Sequence, residues 1–167
     1  MSYTDSNSTF VSHHLLVAMP GLLDPVFSKA VIYLAEHSVK GAMGLLINKP
    51  CELDLQSLLT KLNLKCNKKN IDHQPVYYGG PIQQDRGFVL HEPVGTWSSS
   101  LKINNNLALT SSKDILEATA VGVGPKKILV SLGYSGWGPG QLDSELAANS
   151  WLTIPLTDNK LLFETPP

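Results

Sequence analysis

Cysteine is nearly missing from this chain: of 167 residues, only Cys51 and Cys66 carry a thiol. A helix read between them would hold them at its opposite ends. Cysteines whose Cα atoms lie more than about 7 Å apart are not bridged without moving the backbone. Two free thiols are therefore expected, and a reducing cytoplasm fits that usage. An excess of either charge is missing too. Thirteen basic residues stand against 14 acidic ones, for a formal net charge of −1. Duplex-binding domains carry a clear basic excess, so nucleic acid is a disfavoured partner. Uninterrupted apolar runs are short, and none approaches the ~20 residues of a membrane-spanning helix. The opening "MSYTDSNSTFVS" has neither the basic nor the apolar region of a signal peptide. A cytoplasmic protein with no membrane partner is the expectation.

Absent patterns exclude chemistries as well. His13, His14, His37, His73 and His91 form no His-x-x-x-His, and the cysteines form no Cys-x-x-Cys, so no metal site is read. There is no Gly-x-Ser-x-Gly nucleophile elbow. The glycine-rich segment 133–140 lacks the Lys-Ser or Lys-Thr pair of a P-loop. No cofactor is expected.

What is present is a globular composition, 43% hydrophobic and 16% charged, long enough for one domain with a real core. Residues 1–12 are polar and read as a mobile tail; 13–167 read as a single domain. "HLLVAMP" is a strand stopped by Pro20 and Gly21. Over 24–37 two periods compete. Phe27, Ala30, Val31 and Leu34 fit a helix, while Val31, Ile32 and Tyr33 fit a strand. A strand over 30–36 is the choice, paired antiparallel with 43–48 through a loop at 37–41.

Residues 54–63 read as a helix, with Leu55, Leu58, Leu59 and Leu62 on one face and Asp54 as N-cap. "PVYYGG" and "RGFVLHE" read as strands around a Gly-Gly-Pro turn. "SLKINNNLALTS" reads as a hairpin with Asn at positive φ. A second helix starts at Ser111 or Ser112, with Asp114 closing a capping box. "KKILVSL" is a central strand. Gly133–Gly140 is a loop, a third helix covers 141–148, and "WLTIP" and "LLF" are strands. The class is mixed α/β (α+β), with about three helices and many antiparallel hairpins.

Three stretches carry candidate chemistry. In "EHSVKGAMGLLINKP" (36–50), Glu36 and His37 are an acid/base candidate, since His titrates near neutrality and a carboxylate supports its charge. A turn held by side-chain hydrogen bonds is the alternative. On a hairpin, Asn48 and Lys49 lie roughly 17–20 Å from Glu36, so the two ends are separate places. Asn48-Lys49-Pro50 is either strand termination or a second site. In "GGPIQQDRGFVLH" (79–91), Gly79 and Gly80 permit unusual backbone or close approach of a ligand. Arg86 carries a fork suited to carboxylate or phosphate. An Asp85–Arg86 loop tied to its own backbone is the alternative. Arg86 and His91 should face opposite sides of a regular strand.

In "LGYSGWGPGQLDSE" (132–145), strand, glycine loop and helix could cradle an anion. Gln141 and Glu145 share a helix face beside Trp137, as a polar wall or a solvated face. Cys51 before a helix would have a lowered pKa or simply pack against it. Lys61, Lys65, Lys68 and Lys69 lack the interleaved aromatics that stack bases.

As a set, these three motifs resemble the AlgH/YqgE family of bacterial proteins, across roughly His13 to Phe163. The resemblance implies a compact α/β fold with a bifurcated, barrel-like sheet. It implies a bacterial cytosolic protein. It implies no agreed reaction, though one branch is described as regulating alginate production. The matching residues are Glu36, His37, Gly41, Met43, Gly44, Asn48, Lys49 and Pro50; Gly79, Gly80, Pro81, Asp85, Arg86, Gly87 and His91; and Gly133, Tyr134, Trp137, Gly140, Gln141 and Glu145. It also implies a further C-terminal segment past the position of Pro167, where this sequence stops.

The functional expectation is a regulatory domain binding a small molecule or anion, with Arg86 close to the Glu36/His37 end. The alternatives are a DNA-binding regulator and an enzyme using Glu36 and His37. No feature names the oligomeric state.

Overall fold

The computed structural model describes residues 13–22, 24–64, 74–156 and 160–163. The expected tail at 1–12, Cys66, and Lys65, Lys68 and Lys69 lie outside these residues. Ten strands form: β1 His14–Ala18, β2 Val31–Ser38, β3 Gly41–Leu46, β4 Pro50–Asp54, β5 Pro75–Tyr78, β6 Ile82–Glu92, β7 Ser100–Lys102, β8 Ala108–Thr110, β9 Lys127–Trp137 and β10 Trp151–Pro155. Three helices accompany them, α1 Leu55–Lys61, α2 Lys113–Ala120 and α3 Gln141–Ala147, and a single turn, α4, covers Lys160–Phe163.

The strands make one curled, mainly antiparallel half-barrel, in the order β10-β1-β2-β3-β9-β6-β8-β7. Its fork lies at β9. One edge of β9 is taken by β6 over nearly its full length. The other edge is divided: β5 runs parallel along Val130–Leu132, and β3 antiparallel along Ser135–Trp137. The sheet therefore splits between β5 and β3, which is the bifurcation the resemblance implied.

Alternation along the strands sorts the core into layers. Tyr33 and Leu45 join Phe88, Leu90, Leu109 and Leu129 on one face, inside the curl, where Leu162 of α4 also packs. On the opposite face, Val76, Val89 and Val130 receive Leu55, Leu58 and Leu59 of α1 with Ile115 and Leu116 of α2. Farther along, Leu16, Ile32, Leu34 and Leu46 receive Leu142 of α3 with Trp137 and Trp151. The strand choice over 30–36 holds, because Ile32 and Leu34 serve one layer while Tyr33 and Ala35 serve the other. A helix would have buried a single stripe.

Several local expectations need correction. The β2–β3 connection is a two-residue turn, Val39–Lys40, between paired Ser38 and Gly41, and not a loop over 37–41. Residues 133–137 continue β9, so the glycine loop shrinks to 138–140. "LLF" lies in the α4 turn and not in a strand. Asp54 does cap α1, accepting from Ser57 N at 2.9 Å. The α2 capping box is absent: Ser112 is the N-cap without a side-chain cap bond, and Asp114 instead accepts from Ser98 N and Ser112 Oγ. Those bonds, Ser112's first, hold the Asp114 carboxyl below its usual range. No Asn of 104–106 has positive φ. Asn104 turns the chain by accepting from Asn106 N and Leu107 N at 2.8 and 2.9 Å, an Asx turn.

Candidate functional site

The β2–β3 hairpin forms the first wall of a cavity. Register within it shifts between Leu34 and Glu36. This bulge sets Glu36 opposite Met43 and His37 opposite Ala42. Glu36 is exposed and His37 is 6% exposed. His37 reaches α3, where its Nε2 lies 2.9 Å from Asp143 Oδ1. The expected Glu36–His37 acid/base pair is thus not formed, because successive strand residues point to opposite faces. His37 is not a turn residue either; it ties β2 to α3.

The second wall comes from β6. Between Ile82, opposite Tyr134, and Gly87, opposite Leu132, five steps along β6 match two along β9. The surplus residues leave the ladder as an exposed excursion. Gln83 there adopts φ 51°, a region non-glycine residues rarely occupy. Arg86 closes the excursion: its Nε donates to Ser111 O at 3.3 Å and its Nη2 to Ser111 Oγ at 3.2 Å. A guanidinium has five N–H donors, so these bonds fix its plane and leave donors to spare. The alternative of Asp85 and Arg86 bound to their own backbone is replaced by this tether to Ser111, just past the end of β8.

Between the walls, at the mouth of the curl, lies a cavity of about 730 Å³. Glu36, Lys40, Gln83 and Arg86 supply its polar rim, and Met43, Ile82, Phe88 and Tyr134 its apolar surface. Phe88 and Tyr134 meet edge to face at 5.3 Å between centroids. Neither the Glu36 carboxylate nor the Lys40 ammonium has an ion-pair or hydrogen-bond partner among the described residues. The geometry thus brings Arg86 to the Glu36 end of the hairpin, without His37.

Of the remaining candidates, Trp137 also lines this cavity; the others sit elsewhere, in structural roles. Asn48 Oδ1 accepts from Val31 N at 2.9 Å and its Nδ2 donates to Lys29 O at 3.0 Å. Lys49 Nζ donates to Val26 O. Together they pin the 24–30 turn region at the far end of the hairpin. Gly79 and Gly80 admit backbone and no ligand: a Cβ on Gly80 would lie 2.3 Å from the Tyr134 carbonyl. Gln141 Oε1 accepts from Gly138 N, and its Nε2 donates to Glu145. Glu145 in turn receives the indole N–H groups of Trp137 and Trp151. Trp137 is buried, stacked on Phe27. His91 is buried on Thr110 and the Pro93 carbonyl, apart from Arg86. Cys51, a free thiol, lies in β4 against the α1 cluster, and burial raises its pKa. That replaces the lowered pKa considered for a helix N-terminus. Sequence reasoning missed Lys40, Gln83, Phe88 and Asp143 as functional or linking residues. A two-residue hairpin loop would have exposed Lys40; the others come together only by sheet closure.

Among the described residues no cluster of three or more His, Cys, Asp or Glu could hold a metal ion. No described helix is long and apolar enough to cross a membrane.

Fold and cavity together define a mixed α+β half-barrel with a forked sheet and one open mouth. The AlgH-like family model matches residues 15–167, and the chain belongs to that family. A UPF0301 protein of Cupriavidus pinatubonensis is 51% identical over 157 residues, covering 94% of this chain and 82% of the relative. One from Azoarcus sp. strain BH72 is 48% identical over 163 residues, covering 98% and 86%. The solution structure of AlgH from Pseudomonas aeruginosa superposes with a TM-score of 0.82 at 47% identity, covering 95% of this chain and 84% of that one. The crystal structure of DIP2367 from Corynebacterium diphtheriae shares the fold, with a TM-score of 0.67 at 19% identity over 93% and 80% of the two chains.

Proposed function

We propose that this protein is a bacterial cytosolic regulatory domain that binds a small organic anion at the mouth of its half-barrel. One observation carries the reading. The β6 excursion departs from the ladder with Gln83 in a strained conformation, and both Gln83 and Arg86 border a cavity with an apolar lining. Strain kept at a cavity rim is a pointer to function, because the surroundings must hold it at a cost of ~1–3 kcal/mol. Arg86 supplies the anion contact, with its plane preset by Ser111. Met43, Phe88 and Tyr134 take the organic body.

The DNA-binding alternative is disfavoured by charge: the chain's formal net charge is −1, without the basic excess of duplex-binding domains. The separation of Glu36 from His37 removes support for the acid/base enzyme.

The test is thermal shift and calorimetry with benzoate, indole-3-acetate, nucleotides and inorganic phosphate. An organic anion should raise the melting temperature. Arg86→Gln should weaken its binding by about tenfold or more, as loss of a charge-assisted contact does. Equal binding by Arg86→Gln, or no binder among the anions, would refute the reading.

A further inference from the structure

We infer that the cavity takes a zwitterion of dipeptide size, its carboxylate on Arg86 and its ammonium on Glu36. This rests on the reading of the cavity as an organic-anion site and adds a second charged contact to it. Glu36 and Arg86 line the same space and form no ion pair with one another. Arg86 is held back by Ser111 on β8's side of the sheet. Glu36 is held on the opposing hairpin by the bulge that places it across from Met43. The result is a cation and an anion on facing walls, with apolar surface between them. A ligand with one charge satisfies one wall and leaves the other exposed. A dipolar ligand satisfies both.

Size and lining narrow the class further. A volume of about 730 Å³ falls within the roughly 300–1,000 Å³ of pockets for drug-sized ligands. A single small amino acid would leave most of it to water. Two extended residues span roughly 7 Å, which separates the termini while the side chains lie on Ile82, Phe88 and Tyr134. Lys40, on the same hairpin as Glu36, adds a second cation to the rim, placed to reach a peptide carbonyl. Glu36 also argues against a phosphate dianion, which would sit in a site of net charge +1 beside a carboxylate.

The experiment is calorimetry on the whole chain with the dipeptide Phe-Leu, its N-acetyl form and its C-terminal amide. The free dipeptide should bind, and each blocked form should bind about tenfold more weakly, as expected for one lost charge-assisted contact. Glu36→Gln should weaken the free dipeptide by a similar factor and leave the N-acetyl form unchanged. If the N-acetyl form binds as tightly as the free dipeptide and Glu36→Gln changes nothing, the zwitterion inference falls and the anion site stands. If the amide binds as tightly as the free dipeptide, both fall; if no form binds while benzoate or indole-3-acetate does, the zwitterion inference falls and the anion site stands.

Discussion

The Glu145 carboxylate accepts two indole N–H groups on one oxygen, from Trp137 at 3.0 Å and Trp151 at 2.9 Å. Both tryptophans are buried, so truncating Glu145 strands two donors away from water. Each unsatisfied donor costs about 1–3 kcal/mol. Glu145→Ala should lower unfolding free energy by about 2–4 kcal/mol in urea titration, and Glu145→Gln, which keeps an acceptor oxygen, by less. An unchanged urea midpoint in the alanine variant would refute the assignment. Burial also lowers the pKa of His91 below its ordinary 6.5, and burial with the neighbouring His14 lowers that of His13. The unfolded chain therefore binds more protons just below pH 6.5, and stability rises with pH through that window. The urea midpoint should drop between about pH 7 and pH 5.5, and the drop should be smaller in His91→Gln. At this scale the sequence was half legible. The i, i+4 spacing showed that Gln141 and Glu145 share a face, but the indoles that use it come from β9 and β10, strands that do not pair with each other, and could not be paired by spacing.

Where the β5–β6 link crosses β9, two elements touch backbone to backbone. Gly80 has φ 152°, and Gly133 has φ 78° with a would-be Cβ 2.4 Å from Gly80 O. No side chain fits between them. Gly140 also has positive φ, 74°, but open space around it. The contrast separates strain from clash. Gly140→Ala should cost only about 1 kcal/mol, the conformational term alone. Gly80→Ala should cost more than about 3 kcal/mol or abolish folding, since backbone must move. Equal urea midpoints for the two variants would contradict this. Glycine density misled the reading of 133–140 for the same reason. Glycines usually mark loops, yet Gly133 and Gly136 are strand residues that let neighbouring elements approach closely. The β2–β3 hairpin was legible as an antiparallel pair, because its signals are local, though its turn is Val39–Lys40 and not a loop over 37–41. The β6 excursion was not, because a bulge is defined by a partner strand some fifty residues away.

For the whole molecule, motif resemblance conveyed the forked sheet, while periodicity conveyed only the class. The cavity escaped both. Its walls are the β2–β3 hairpin and β6, and neither pairs with the other; β9 stands between them and sets their spacing. That central position has a consequence for how the chain is made. β9 begins at Lys127 and supplies the partner edges for β3, β5 and β6, and β1 finds its outer partner in β10, with His14 opposite Pro155. A nascent chain emerging from the ribosome can close the β2–β3 hairpin early, but its sheet has no spine until β9 has been synthesised. At ~5–20 residues per second the earlier strands wait several seconds with their ladder edges uncovered. Folding is thus tied to the synthesis of β9, in the slow regime of long-range pairings, and chaperone demand should peak before β9 emerges.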